Sequence, residues 1–238
     1  MKYKIVIFDI GKTLLDKQVS NEISVQTLAD IKALQSKGIK VGVCTMRTVR
    51  HCREIIPFEL DFYICLNGSH ITCDGKLIFD SPLQYDPQTL HYLTYGAQCA
   101  FYSSEQAKQK ALQNGFLIDG MGIAAPTYNC VLFDIEKEHL EDFSAYNTEY
   151  WEKTKALSLQ SADSSKSLGI QRVLAHYGFN EPILYFGDGP NDLPIFQTYR
   201  DCICMGDCYP ELCQYALLQT KPCREDGVSF ALRKLCLL

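Results

Sequence analysis

The stretch Tyr3-Lys4-Ile5-Val6-Ile7-Phe8-Asp9-Ile10-Gly11-Lys12-Thr13-Leu14-Leu15-Asp16 carries a short apolar run straight into a polar turn. Ile5, Val6, Ile7 and Phe8 are continuous and mostly β-branched, with Gly11 close behind. That pattern predicts a strand buried on both faces, as in the middle of a parallel sheet. The first charge after it is Asp9. A carboxylate at the C-terminal tip of a central parallel strand stands where open α/β sheets bind ligands. Asp9 also suits a simple turn, which its side chain would open by bonding the backbone beyond it. Gly11-Lys12-Thr13 resembles the end of a phosphate-binding loop, but that loop needs another glycine five residues before its Gly-Lys pair. Val6 stands there in mid-strand, so this reading is excluded.

Working outward, residues 22–37 place Ile23, Leu28, Ile31 and Leu34 at roughly helical spacing, with Gly38 as a stop. Ile39-Lys40-Val41-Gly42-Val43-Cys44 follows as a second buried strand, ending in Thr45-Met46-Arg47. Strand, helix and strand in this order predict a βαβ unit. Taken alone, Thr45 is an N-cap for a helix over 46–55 and Arg47 a solvated residue of that helix. A third strand enters the Asn67-Gly68 turn, and Asp74-Gly75 between short apolar runs signals a hairpin. A helix starts near Ser164 and runs to about Tyr177, with Lys166 in its first turn, where the helix dipole disfavours a cation. Ile183-Leu184-Tyr185-Phe186 then leads into Gly187-Asp188-Gly189-Pro190-Asn191-Asp192, a glycine-rich turn with two carboxylates. Residues 201–207 suggest a fifth strand and loop, and a last helix follows Gly227.

Residues 80–160 differ. Tyr, Gln and Ala are frequent and buried parallel strands are absent. Helices are predicted over 86–96, 104–114 and 136–147, and strands over 129–135 and 156–159. His91 and His139 read as solvated.

Composition bounds the function. The chain has 238 residues, 47% hydrophobic and 21% charged, with a net charge of −5 and no basic block. Nucleic acid and a membrane surface are therefore excluded as partners. The opening apolar run is too short for a signal peptide, and no run approaches the ~18 apolar residues of a membrane helix, so a cytoplasmic location is expected. Of twelve cysteines, half lie at positions 202, 204, 208, 213, 223 and 236. No Cys-x-x-Cys pair and no nearby histidine marks a zinc site, so they read as buried, reduced thiols.

The three strand-tip motifs and the lysine at the helix start together resemble the haloacid dehalogenase-like (HAD) superfamily, Cof-type subfamily IIB. Its motifs are matched by Asp9 with Thr13-Leu14, by Thr45, by Lys166, and by Gly187-Asp188 with Asn191-Asp192. The resemblance covers nearly the whole chain and is weakest over 80–160. It implies a Rossmann-like parallel-sheet core over 1–79 and 161–238, with an α+β (C2-type) cap over 80–160 that closes the pocket and chooses the substrate. It further implies that Asp9 is the nucleophile, that Thr45 orients a phosphate oxygen, and that Lys166 neutralises the phosphorylated aspartate. Gly11, Lys12, Met46, Arg47 and Asn191 would line the phosphate and substrate site. Mg²⁺ would be held by Asp9, the Gly11 carbonyl and Asp188, with Asp192 second in line or water-bridged. The expected substrate is a small phosphorylated metabolite; the oligomeric state is not legible.

One departure matters. The family's first motif, Asp-x-Asp-Gly-Thr, is Asp9-Ile10-Gly11-Lys12-Thr13 here, so the second aspartate, its general acid and base, is replaced by Gly11. Met46 likewise replaces a glycine of the second motif. Two readings follow: a Mg²⁺-dependent phosphatase weakened by the missing acid, or a phosphate-binding pseudo-phosphatase.

Overall fold

A computed structural model of the chain describes residues 2–84, 128–132, 135–180 and 182–238. Residues 1–78 and 166–238 form one compact unit and residues 79–165 a second. The helices expected over 86–96 and 104–114, and His91, lie outside the described residues.

The first unit is organised about β1 (Ile5–Phe8), whose four residues are wholly buried. β2 (Lys40–Cys44) and β3 (Phe62–Cys65) continue the sheet on one side, both in parallel. β4 (His70–Cys73) pairs antiparallel with β3, and β5 (Lys76–Asp80) completes that edge. On the other side lie β9 (Ile183–Gly187), β10 (Cys202–Cys204) and β11 (Leu218–Gln219), all parallel. The order is β11-β10-β9-β1-β2-β3-β4-β5. The chain leaves β1 toward β2 and returns much later to β9, so the boundary between β1 and β9 is the switch point of the sheet. Ligands of such sheets bind outside the strand C-termini at that boundary.

Local chemistry explains the boundaries. Helix α1 (Val25–Ser36) starts where the Ser24 side chain accepts from Thr27 N–H, and ends before Gly38, at φ 77°. Asp74 and Gly75 both have positive φ, as a tight two-residue hairpin turn requires. Helix α2 is Val49–Ile55, shorter than the expected 46–55, and its cap is Thr48, whose side chain accepts from His51 N–H. The Thr45 cap is thus corrected. Thr45 is still sheet-like: its N–H donates to Ile64 C=O and its C=O accepts from Asn67 N–H, both at 2.9 Å. Helix α3 (Lys166–Tyr177) opens on Lys166 itself, and the short helix α4 (Leu193–Thr198) and α5 (Gly227–Lys234) complete the unit. Among the described residues no helix is long and apolar enough to cross a membrane.

β2 and β3 approach closely at Gly42. A Cβ there would stand 2.3 Å from the Phe62 ring and 2.4 Å from its carbonyl oxygen, so even a methyl group has no room. Gly42→Ala is expected to cost about 1–3 kcal/mol of stability through overpacking. Urea denaturation measures this; an unchanged midpoint would mean that the sheet relaxes freely.

In the second unit, β6 (Asn129–Leu132), β8 (Ala156–Gln160) and β7 (Asn147–Trp151) form a three-stranded antiparallel sheet with β8, wholly buried, in the middle. The helix expected over 136–147 is instead a 3-10 segment, Lys137–Phe143, followed by β7. Within that segment only Phe143 is buried, so it has no apolar stripe to seat a full helix.

Candidate active site

Asp9 and Asp188 follow the tips of β1 and β9, which are neighbours in the sheet. Asp192 lies one short turn beyond Asp188, and one carboxylate oxygen from each of the three falls within 4.8 Å of the others. Lys166 enters from the first residue of α3. Its Nζ donates to Asp9 Oδ1 at 2.8 Å and to Asp192 Oδ1 at 2.6 Å, and its side chain is almost fully buried. A lysine that is unfavourable at a helix start is here held by two buried carboxylates.

The electrostatics are unequal. Burial works against the Lys166 charge, but Asp192 and Asp9 more than offset it and hold its pKa well above the ordinary value. Burial raises the Asp9 pKa, with Lys166 opposing and Asp192 adding to the rise. Asp188 is pushed up to about 8, by burial first and then by the negative Asp9 and Asp192. Three carboxylates thus crowd one ammonium, and Asp9 and Asp188 hold their protons to higher pH than an ordinary carboxylate does.

Asp192 is fully buried and fully engaged. Its Oδ1 accepts from Lys166 and from the Tyr185 hydroxyl at 2.6 Å. Its Oδ2 accepts from the Asp188 and Gly189 N–H groups at 2.9 and 3.0 Å. Gly187 makes this possible, since a Cβ there would lie 2.5 Å from Asp192 Oδ2. The Thr13 hydroxyl donates to Asp188 Oδ1 at 3.1 Å and ties the two strand-tip loops together.

In the first loop, Thr13 N–H donates to Gly11 C=O at 2.7 Å and Lys12 N–H to Leu15 C=O at 2.9 Å. Lys12 takes φ 51°, a left-handed conformation that glycine adopts more readily, and its side chain is exposed. A Cβ at Gly11 would meet only Asp9 Oδ2, at 3.8 Å, which is ordinary contact. Oδ2 is the carboxylate oxygen that Lys166 does not hold.

Thr45 is buried at the tip of β2, and its hydroxyl oxygen accepts from Arg47 N–H at 3.3 Å. Arg47 is half-buried against His51; burial lowers its pKa while the Asp9 charge opposes that, so this cation faces the carboxylate cluster. Met46 and Asn191 are half-buried on the two turns, and the Asn191 side chain folds over Gly189. Of the residues expected from sequence, Lys166, Asp188 and Asp192 are brought together with Asp9, and Arg47 feels its charge, while the Lys12 side chain is exposed.

Sequence reasoning missed three participants. Thr13 had been matched as part of a motif without a partner. Tyr185 lies in an apolar strand, and a buried tyrosine in such a strand signals that its hydroxyl needs a partner. Lys17 has its pKa lowered by burial and then by the charge of Arg47, so a second cation stands near Arg47.

A haloacid dehalogenase-like hydrolase profile matches residues 6–115 and 123–232. A Streptococcus pyogenes protein provisionally named a bifunctional phosphatase/peptidyl-prolyl cis-trans isomerase is 30% identical over 262 residues; the match covers 100% of this chain but 55% of that protein. A Bacillus subtilis protein provisionally named phosphatase YkrA is 25% identical over 259 residues, covering 100% of both chains. The fold is similar to that of the HAD subclass IIB sugar phosphatase BT4131, with a TM-score of 0.77 at 21% identity over 99% of this chain and 100% of that one. The profile runs through both halves of the central sheet and into the segment inserted between them, and the chain belongs to the haloacid dehalogenase-like hydrolases.

Proposed function

We propose that this chain is a Mg²⁺-dependent phosphatase for a small phosphorylated metabolite, working through an aspartyl phosphate on Asp9. The observation that carries the reading is the Asp9–Lys166–Asp192 chain of buried charges, with Asp188 beside it. Its chemistry suits phosphoryl transfer, in which a protein mainly positions groups and neutralises charge.

The donor set fits a hard divalent cation. The ligating atoms are carboxylate oxygens clustered within 4.8 Å, and their mutual repulsion on ionising is what such an ion relieves. Asp9, the Gly11 carbonyl and Asp188 would hold Mg²⁺. Asp192 would reach it through water, because all its acceptor positions are already filled. When bound, the ion supplies charge neutralisation at the transferring phosphoryl group.

Asp9 Oδ2 attacks phosphorus while the bond to the leaving oxygen breaks. Lys166, kept protonated by its two carboxylates, stays beside the phosphorylated aspartate. Thr45 and the half-buried Arg47 orient the phosphate oxygens, with Met46, Lys12 and Asn191 on the margins. Water then attacks phosphorus and the Asp9 carboxylate departs. The leaving alkoxide needs a proton and the attacking water needs a base, and Gly11 supplies neither. Turnover is therefore expected to favour good leaving groups. Residues 80–160 are proposed as the cap that selects the substrate.

Gly11 also favours a second reading, a binding protein that holds phosphate ligands without turning them over. A panel of alkyl esters, acyl phosphates and p-nitrophenyl phosphate, with and without Mg²⁺, separates the two. Phosphate release that needs Mg²⁺ and vanishes in Asp9→Asn is the expected result. Silence across the panel, with Mg²⁺ and inorganic phosphate still binding by calorimetry, would establish the second reading instead.

A further inference from the structure

Away from the carboxylate cluster, three thiols meet. Cys204 is the last residue of β10, Cys208 lies in the turn after it, and Cys213 sits in the 3-10 segment Pro210–Gln214. The Sγ atoms of Cys204 and Cys213 are 3.8 Å apart and those of Cys208 and Cys213 are 3.7 Å apart. All three lie within 4.8 Å of one another. We propose that Cys204, Cys208 and Cys213 form a trithiolate site for a thiophilic metal ion of the Zn²⁺ class.

The distances carry the argument. Zinc holds thiolate sulfurs at about 2.3 Å in a tetrahedron, and the edge of that tetrahedron is about 3.8 Å. Two of the three sulfur pairs already have that spacing. The backbone that presents them is tied down: Cys208 N–H donates to Met205 C=O at 3.3 Å, Tyr209 N–H to Asp188 C=O at 2.7 Å, and Leu212 N–H to Tyr209 C=O at 3.0 Å. Little ordering remains to be done on binding. Cys204 is buried, Cys208 half-buried and Cys213 exposed, so the cluster opens to solvent on one side. That side gives the ion its entry path and leaves the fourth position for water or an exogenous thiol. Each thiol gives up a proton as its sulfur–metal bond forms, so uptake strengthens as pH rises.

The spacing hid this site from sequence reading, because the residues fall four and five apart and form no Cys-x-x-Cys pair. The proposal stands independently of the phosphatase reading, since it uses none of those side chains.

Co²⁺ is the probe, added to the fully reduced, oxygen-free protein with excess Mg²⁺ present to occupy the carboxylates. One equivalent is expected to bind with a sulfur-to-cobalt charge-transfer band, and Zn²⁺ is expected to displace it. Cys213→Ser and Cys208→Ser should each weaken binding by at least about tenfold. Cys236→Ser, at an exposed thiol outside the cluster, should leave the band unchanged. Because substitutions can disturb folding, alkylation of the unaltered protein supplies a second measurement: Zn²⁺ should protect Cys208 and Cys213 and spare Cys236 its protection. No charge-transfer band, a band that survives Cys208→Ser/Cys213→Ser undiminished, or protection of all exposed thiols alike would overturn the proposal.

Discussion

Gly11→Asp combined with Lys12→Gly is expected to raise phosphate release from alkyl phosphate esters by about 10²–10⁴-fold, the span that general acid–base help ordinarily contributes. Three features support this outcome. A Cβ at position 11 meets nothing closer than Asp9 Oδ2 at 3.8 Å, so the new side chain has room at its root. It would start beside the attacking oxygen that Lys166 leaves unengaged, next to the phosphoryl site, so that its carboxyl can give a proton to the leaving oxygen and later take one from the attacking water. Gly11 itself is outside the left-handed region, so an aspartate there meets no backbone penalty, while Lys12, at φ 51°, is relaxed by glycine. Steady-state phosphate release from an alkyl ester measures the gain. Acyl phosphates, whose leaving groups need no acid, should gain far less. An equal gain on both would mean that the substitution acts through folding rather than through the proton. No gain on either would show that the missing carboxylate is not what limits turnover.

The second large effect is on stability. Lys166→Met is expected to lower the unfolding free energy of the metal-free protein by about 3–5 kcal/mol, the usual cost of breaking a buried ion pair from one side. It leaves Asp9, Asp188 and Asp192 clustered without their ammonium. Asp9 and Asp188, whose folded pKa values already stand above the ordinary carboxylate value, then bind protons more readily still. The folded state then holds more protons than the unfolded state, so stability falls as pH rises from about 4. Asp188, at about 8, already behaves this way in the parent chain. Urea melts in chelator should therefore show a larger deficit at pH 8 than at pH 5. Adding Asp192→Asn should recover part of the loss, since it removes one of the stranded charges. A deficit independent of pH would mean that Lys166 contributes packing rather than charge.

Much of the candidate site was legible because strand tips in a parallel sheet are legible. The run Ile5 to Phe8 reads as a strand buried on both faces, which it is, and this put Asp9 at a strand tip, the position of either a ligand site or a turn. The spacing of Asp188 and Asp192 after a second such strand placed them nearby. What was not legible depended on partners far away in sequence. Lys166 reads alone as a poor first-turn residue, and only Asp9 and Asp192 explain its position. Thr45 looked like a cap because threonine before a helix usually is one. Its backbone is instead committed to Ile64 and Asn67, which moves the cap to Thr48. Residues 136–147 are rich in charge, but charge alone cannot seat a helix, and only the 3-10 segment Lys137–Phe143 forms before β7 begins. The thiols of Cys204, Cys208 and Cys213 meet because a strand end and a 3-10 turn fold toward each other, which no local pattern announces.

The sheet order also sets a timetable for assembly. β1 pairs with β2 through a short stretch of chain, and β3, β4 and β5 follow in turn, so half of the sheet rests on local contacts. The other edge of β1 must wait for β9, where Ile5 lies beside Ile183, 178 positions later in the chain. Non-local pairings of this kind form slowly. During synthesis β1 therefore stands as an open edge, a hazard for association with other chains until β9 covers it. Asp9 and Asp188 meet only at that last closure, so in refolding experiments phosphate-releasing competence should emerge after the secondary structure, as a separate and slower phase.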